Sequence, residues 1–174
     1  MNTTIENMKT RRSVRKFKSD MVPTELIEQI VEAGTFAASG RDRQPWALVV
    51  VTNKEIRDRL SAVNATFFDI PVPDPFYGAP VIIAVLTKKS VPTYMYDGSL
   101  AIGNMMLAAH SLGVGSCWIH RAKEVFELPE WKEWLKLVGL EEEYEGIGHI
   151  ALGYSDGPEP EARPRKEGRV FWVE

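Results

Sequence analysis

Apolar residues recur along this chain in two rhythms, one helical and one of short β-branched runs. Ile5 and Met8 follow Thr3 and Glu6, whose spacing is that of a capping box, and predict a short opening helix. Pro23 stands ahead of Leu26, Ile27, Ile30 and Val31, a helical repeat that ends around Ala33 and Gly34. A polar loop from Thr35 to Trp46 leads into Ala47 to Val51, a short apolar run that reads as a buried strand. Thr52 and Glu55 repeat the capping-box spacing before Ile56, Leu60 and Val63, a third helix. Between 66 and 80 every period fails. Four prolines and the rings of Phe67, Phe68, Phe76 and Tyr77 make an irregular loop, either pinned by its aromatics or shaped for a partner.

Val81 to Leu86 is the second buried strand. The longest helix runs from Asp97 to Leu112, with Leu100, Ala101, Asn104, Met105, Ala108 and Ala109 on one stripe and Gly113 past its end. Small residues there permit close packing, within the chain or against a second subunit. Ser116 to Ile119 is a third strand, and Lys123 to Val138 is helical, broken at Pro129, with Trp131, Trp134, Leu135 and Val138 as its apolar face. Gly146 to Tyr154 is a fourth strand, followed by a Pro-rich link from Gly157 to Arg165 and a strand-like tail, Val170 to Val173. The order of elements predicts one α+β domain over residues 1–174, a central sheet with helices on both faces. The irregular connections favour a mixed sheet. The extension 157–174 ends in a strand that could be exchanged between subunits.

Composition narrows the function classes. The chain has 174 residues, a net charge of −3 and a pI near 5.7, which argues against a nucleic-acid binder. No run approaches a membrane span, and no signal region follows the polar start, so a cytoplasmic protein is expected. A single cysteine, Cys117, excludes an intrachain disulfide and a C-x-x-C pair. His110, His120 and His149 show no ligand spacing, and no metal site is expected. Gly113-Val114-Gly115 begins like a dinucleotide fingerprint, but Trp118 stands where the third glycine belongs. There is no nucleophile elbow and no H-E-x-x-H. An enzyme built this way would rely on a cofactor that brings its own chemistry.

One stretch contradicts the acidic average. Arg11, Arg12, Arg15, Lys16 and Lys18 place five cations in eight residues around Ser13. Such charges repel unless they are solvated or meet an anion. A phosphate suits the planar arginine fork; a solvated basic turn is the alternative.

Read in order, four blocks resemble the FMN-dependent nitroreductase family. They are Arg11-Arg12-Ser13-Val14-Arg15-Lys16-Phe17, Ala37 to Trp46, Gly113 to Ile119, and Ile150 to Tyr154 with Arg163-Pro164-Arg165-Lys166. The resemblance implies a three-layer α/β/α homodimer with FMN at the subunit interface. By that match Arg11, Arg12, Ser13 and Arg15 hold the phosphate and ribityl chain, joined by Arg163 and Arg165. Ala38, Ser39, Gly40, Asp42 and Gln44 reach the flavin from the partner subunit. Trp118, Ile119, His120 and Arg121 lie along its ring. Asp42 departs from the family's usual Asn: a carboxylate only accepts, so it would meet another flavin atom, pair with Arg41 or Arg43, or stand apart.

The implied activity is two half-reactions at one site, with NADH or NADPH as donor and a nitroaromatic, quinone or similar small molecule as acceptor. No catalytic side chain is nominated. A reductive dehalogenase, a flavin-cleaving enzyme and a non-catalytic flavin protein are the alternatives.

Overall fold

The computed structural model describes residues 2–141, 143–158 and 160–174. Its elements are α1 (Thr3–Thr10), α2 (Thr24–Thr35), β1 (Trp46–Val51), α3 (Lys54–Ala65), β2 (Val81–Lys88), α4 (Tyr94–Ser111), β3 (Gly115–Ile119), α5 (Ala122–Glu127), α6 (Pro129–Leu137) and β4 (Tyr144–Gly153). Their order is the expected one, with two local corrections at helix starts. Asn2, not Thr3, caps α1 by accepting from the Ile5 amide at 3.2 Å, and Asn53, not Thr52, caps α3 through the Ile56 amide at 3.0 Å. In both places an asparagine beside the threonine takes the cap, in keeping with its stronger preference. Leu128 is extended between α5 and α6, because the residue before a proline is driven out of the helical region.

The strands form one sheet in the order β1-β2-β4-β3. Every ladder in it is antiparallel, which corrects the expected mixed sheet; the parallel contact among the described residues is an isolated bridge, Ser13 to Ser116. The reason lies in β2, β3 and β4: β4 enters between two strands that both run against it. Side chains of β2 alternate between two cores. Ile82, Ala84 and Leu86 join Leu60, Phe126 and Trp131 under α3, α5 and α6. Val81, Ile83 and Val85 join Ile30, Ile102 and Met105 under α2 and α4. The result is three layers with a largely buried central strand pair.

The tail from 161 to 174 forms no strand and is exposed throughout, leaving Val170, Phe171, Trp172 and Val173 in contact with solvent in the single chain. An isolated extended segment has no partner for its backbone, so the predicted strand does not form alone.

The loop from 66 to 80 is pinned rather than loose. Asp74 accepts from the Ser61 hydroxyl at 2.7 Å and from the amides of Phe76 and Gly78 at 2.9 and 2.7 Å, and it pairs with the Arg57 guanidinium. Arg57 also donates to the Ala79 carbonyl at 3.0 Å, and Phe76 is fully buried. Burial pushes the Asp74 carboxyl up, but the bonds from Arg57, Ser61 and the two amides together outweigh it and hold it below the ordinary value. Asp74→Ala should cost about 2–3 kcal/mol at pH 7, read by urea unfolding. The folded carboxyl titrates below the unfolded one, so the gap to wild type should be full above the unfolded pKa and close as pH falls through the folded value.

His149, in the middle of β4, is fully buried between Phe76 and Phe126, ring centroids 5.3 and 5.6 Å away. Burial drives its pKa from 6.5 to about 3; the His120 carbonyl opposes this but is not within hydrogen-bond geometry of either ring nitrogen. The unfolded chain therefore takes up the proton first, and stability should fall as pH drops from 6.5 toward about 3. Replacing His149→Phe should flatten that slope between pH 6 and pH 4 in chemical denaturation; an unchanged slope would assign the loss to other groups.

Candidate cofactor site

Backbone bonds lace the basic segment across one end of the sheet. The Val14 amide donates to the Ser116 carbonyl at 3.0 Å, the Lys18 amide to the Tyr154 carbonyl at 2.9 Å, and the Asp156 amide to the Lys16 carbonyl at 2.9 Å. Val14 and Phe17 are the buried anchors between the cations. The segment is thus fixed before any side-chain charge is satisfied.

The cations divide into those with partners and those without. Lys16 pairs with Asp156 at 2.7 Å, and Lys18 adds to the field that lowers the Asp156 carboxyl. Arg12 turns back, donating to the carbonyls of Lys9 and Arg11, both at 2.7 Å. Arg11 and Arg15 form no ion pair among the described residues, and Nη1 of Arg11 is buried without a hydrogen-bond partner. A buried guanidinium nitrogen left unpaired is costly and asks for an acceptor. A cavity of about 110 Å³ opens beside it, lined by Arg11, Arg12, His110, Ser116 and Ser155, with Pro160 of the tail at its edge. The Ser116 hydroxyl, on a residue 2% exposed, is also unpartnered there.

Other predicted residues lie along the same strand. Ser13 and Arg15 sit close enough to Cys117 to lower its thiol, but burial outweighs them and pushes the thiol up, so Cys117 is no nucleophile at neutral pH. Trp118 packs into the α2/α4 core and Ile119 into the other. His120 is exposed at the end of β3, its carbonyl receiving the Asn64 side-chain amide at 2.9 Å. Arg121 follows with a left-handed φ of 75°, its guanidinium 2.8 Å from Glu124.

The second predicted loop is elsewhere. Ala38, Ser39, Gly40, Asp42 and Gln44 precede β1, at the opposite edge of the sheet from β3 and near its other end. Three strand spacings across and six residues along amount to roughly 25 Å between Trp46 and Ser116. The loop is held at the start of α4: the Gly40 amide donates to the buried Asp97 carboxylate at 3.0 Å, whose other oxygen accepts from the Thr93 hydroxyl at 2.8 Å. Asp42 accepts from the Gln44 side-chain amide at 2.9 Å, so its partner is Gln44 and not Arg41 or Arg43. Arg41, Asp42 and Gln44 all take positive φ, at about 1–3 kcal/mol of strain each. Arg163 and Arg165 are exposed on the tail, with no hydrogen bond or ion pair among the described residues.

Sequence reading missed three contributors: Ser116, Asn64 and above all Asp97. The sequence signal for Asp97 is that α4 contains no other Asp, Glu, Lys or Arg. A larger groove of about 500 Å³ lies beneath α6, but its buried acid, Glu145, is already met by Tyr94 at 3.0 Å and Lys123 at 3.2 Å. It leaves no buried charge unanswered. No helix among the described residues is long and apolar enough to cross a membrane, and no cluster there could hold a metal.

Known proteins share this fold. A crystal structure of a nitroreductase with bound FMN from Bacteroides fragilis superposes with a TM-score of 0.88 at 30% identity, covering 100% of both chains. An NADPH-flavin oxidoreductase of Vibrio harveyi is 30% identical over 98% of this chain and 72% of its own. An iodotyrosine deiodinase of Thermotoga neapolitana is 27% identical over 91% of each chain. The family model described as the nitroreductase family matches residues 8–154, and with that match the chain belongs to the nitroreductase family.

Proposed function

We propose that the protein is a homodimeric FMN-dependent NAD(P)H oxidoreductase that reduces nitroaromatics, quinones or similar electron-poor small molecules. The observation that carries this reading is the buried, unpartnered Arg11 Nη1 in a cation cluster whose backbone is fixed in advance. A phosphate held by this cluster would draw on Arg11, Ser13 and Arg15, which all approach Cys117, and on Arg12, which lines the cavity with Arg11, while Arg163 and Arg165 are exposed on the tail and could fold over it. Ser116 on β3 and His120 just past its end are four residues apart, about 13 Å if the chain stays extended. One mononucleotide can thus have its phosphate at the cations and its ring beside Trp118, Ile119, His120 and Arg121. When bound, FMN supplies the redox chemistry, accepting electrons from NADH or NADPH and releasing them to the acceptor.

The chain's own part is binding, orientation and charge. Arg11 and Arg15 favour anionic forms of the ligand, and the exposed amides past β3 can address the ring edge. Among the described residues no buried side chain near the site is suited to proton transfer: burial pushes the Cys117 thiol up, and His149 is sealed in the core. Acceptors that take electrons from reduced flavin and protons from solvent fit such a site. The relative named for deiodination supports a second reading, removal of halide from a halogenated phenol at the same site.

Two features support a second copy. The loop 38–44 stands at the opposite edge of the sheet from the segment carrying Arg11, an arrangement that suits a mononucleotide shared between two chains. The tail's Phe171 and Trp172, with Phe36, Tyr96 and Leu100, are large apolar side chains left exposed, the kind of surface a partner buries. β1 has an open outer edge on which a strand from a partner could pair.

The purified protein should be yellow, bleach anaerobically with NADH or NADPH, and recover colour with a nitroaromatic or quinone. Flavin that stays oxidised with both donors would reject the enzyme reading. Recovery with a halogenated phenol alone would favour the second. Arg11→Ala combined with Arg165→Ala should weaken FMN binding roughly 100-fold or more with the fold intact by circular dichroism. Wild-type affinity in that double variant would refute the phosphate assignment.

A further inference from the structure

We infer that Asp97, with Thr93, is a positioning residue for the flavin, and that it acts on the site of the opposite subunit. The inference rests on the dimeric FMN reading above and adds a residue that neither the motifs nor the family resemblance singled out. Asp97 lies in the first turn of α4 and is 2% exposed. A buried carboxylate is retained only where its oxygens are used, and here both are. One receives the Gly40 amide at 3.0 Å, and the other the Thr93 hydroxyl at 2.8 Å. The approach is so close that a Cβ on Gly40 would lie 2.4 Å from the Thr93 hydroxyl oxygen. Gly40 is therefore needed for contact rather than for its φ.

What this anchor holds is the exposed turn Arg41 to Gln44. The turn is framed on one side by Gly40 on Asp97 and on the other by the Pro45 carbonyl, which accepts from the Lys88 amide at 3.0 Å. Inside the frame the bonds are local: the Gln44 amide to the Ser39 hydroxyl at 3.1 Å, and the Gln44 side chain to Asp42 at 2.9 Å. Arg41, Asp42 and Gln44 stand at φ 57°, 53° and 45° with no glycine among them. Side chains in that region relax to other conformations unless the surroundings over-determine them. With the Asp97 bond removed, one side of the frame is released and the turn no longer presents the same face. The released turn is not the one beside its own chain's Arg11, since the two lie at opposite edges of the sheet. The loss should fall on the flavin held by the other copy.

The test is complementation between two defective chains. Asp97→Ala and Arg11→Ala chains carrying different affinity tags are co-expressed, and the mixed dimer is isolated by both tags. Each homodimer is prepared beside it. FMN affinity is measured by quenching of flavin fluorescence. Each homodimer should bind FMN at least tenfold more weakly than wild type. In the mixed dimer one site combines both defects, and the other has an intact Arg11 and an intact loop. Binding of one FMN per dimer at wild-type affinity is the expected result. A mixed dimer without a wild-type site would mean that Asp97 acts within its own chain and would overturn the inference, as would wild-type affinity in the Asp97→Ala homodimer.

Asp97→Asn keeps an acceptor for the Gly40 amide, and its NH₂ can donate to Thr93, so it should recover most of the affinity. Failure of Asn to rescue, with both variants losing thermal stability equally as apo protein, would indicate a merely structural role and count against the inference. Wild-type affinity in the Arg11→Ala homodimer would instead strike the phosphate assignment. In that case FMN loss in Asp97→Ala with rescue by Asn still supports positioning, and wild-type affinity there still overturns it.

Discussion

Like charges held together by backbone bonds are the constraint from which the rest follows. Main-chain ladders to Ser116, Tyr154 and Asp156 fix the segment carrying Arg11, Arg12, Arg15, Lys16 and Lys18. Its side chains cannot disperse as they would on a free turn. Asp156 answers Lys16, and carbonyls answer Arg12. Arg11 is left with a buried nitrogen that meets no acceptor among the described residues. In a chain of net charge −3, such a concentration of unmet positive charge is a built demand for an anion.

The sheet determines what else lies near the cluster. β3 puts Ser116 and Cys117 beside the cations and sends His120 and Arg121 to its far end. Antiparallel pairing places β1, and the loop that precedes it, on the opposite edge. With FMN bound as proposed, one chain would hold two half-sites at opposite edges of its sheet. On the proposed reading the second copy completes each half, and the exposed aromatics of the tail and α4 are surface awaiting burial. The pinned loop around Asp74 and the sealed His149 keep the intervening core rigid.

Much of this was legible in the residues. Helical spacing located α2, α3 and α4, and β-branched runs located β1 and β2, because burial on one or both faces leaves a periodic trace. The basic segment stood out by charge alone. What failed was non-local or a matter of competition between neighbours. Asn2 and Asn53 displaced the adjacent threonines as caps. Strand direction depends on which strands meet, and nothing in the runs themselves records it, so the antiparallel sheet was read as mixed. The tail has strand composition but no strand to pair with in its own chain. Asp97 was invisible as a contact because its partner, a glycine amide 57 residues away, has no side chain to mark it. Asp42 was recognised as a departure, but its bond to Gln44 depends on left-handed backbone that no glycine announces.

The central claim is that the cation cluster grips a phosphate. Titrating the apo dimer with FMN and with riboflavin, which has the same ring and ribityl chain without the phosphate, tests it directly. Charge-assisted bonds to two or three arginines predict FMN binding at least roughly 100-fold tighter, with the advantage shrinking as salt is raised. Equal affinities at low salt would contradict it.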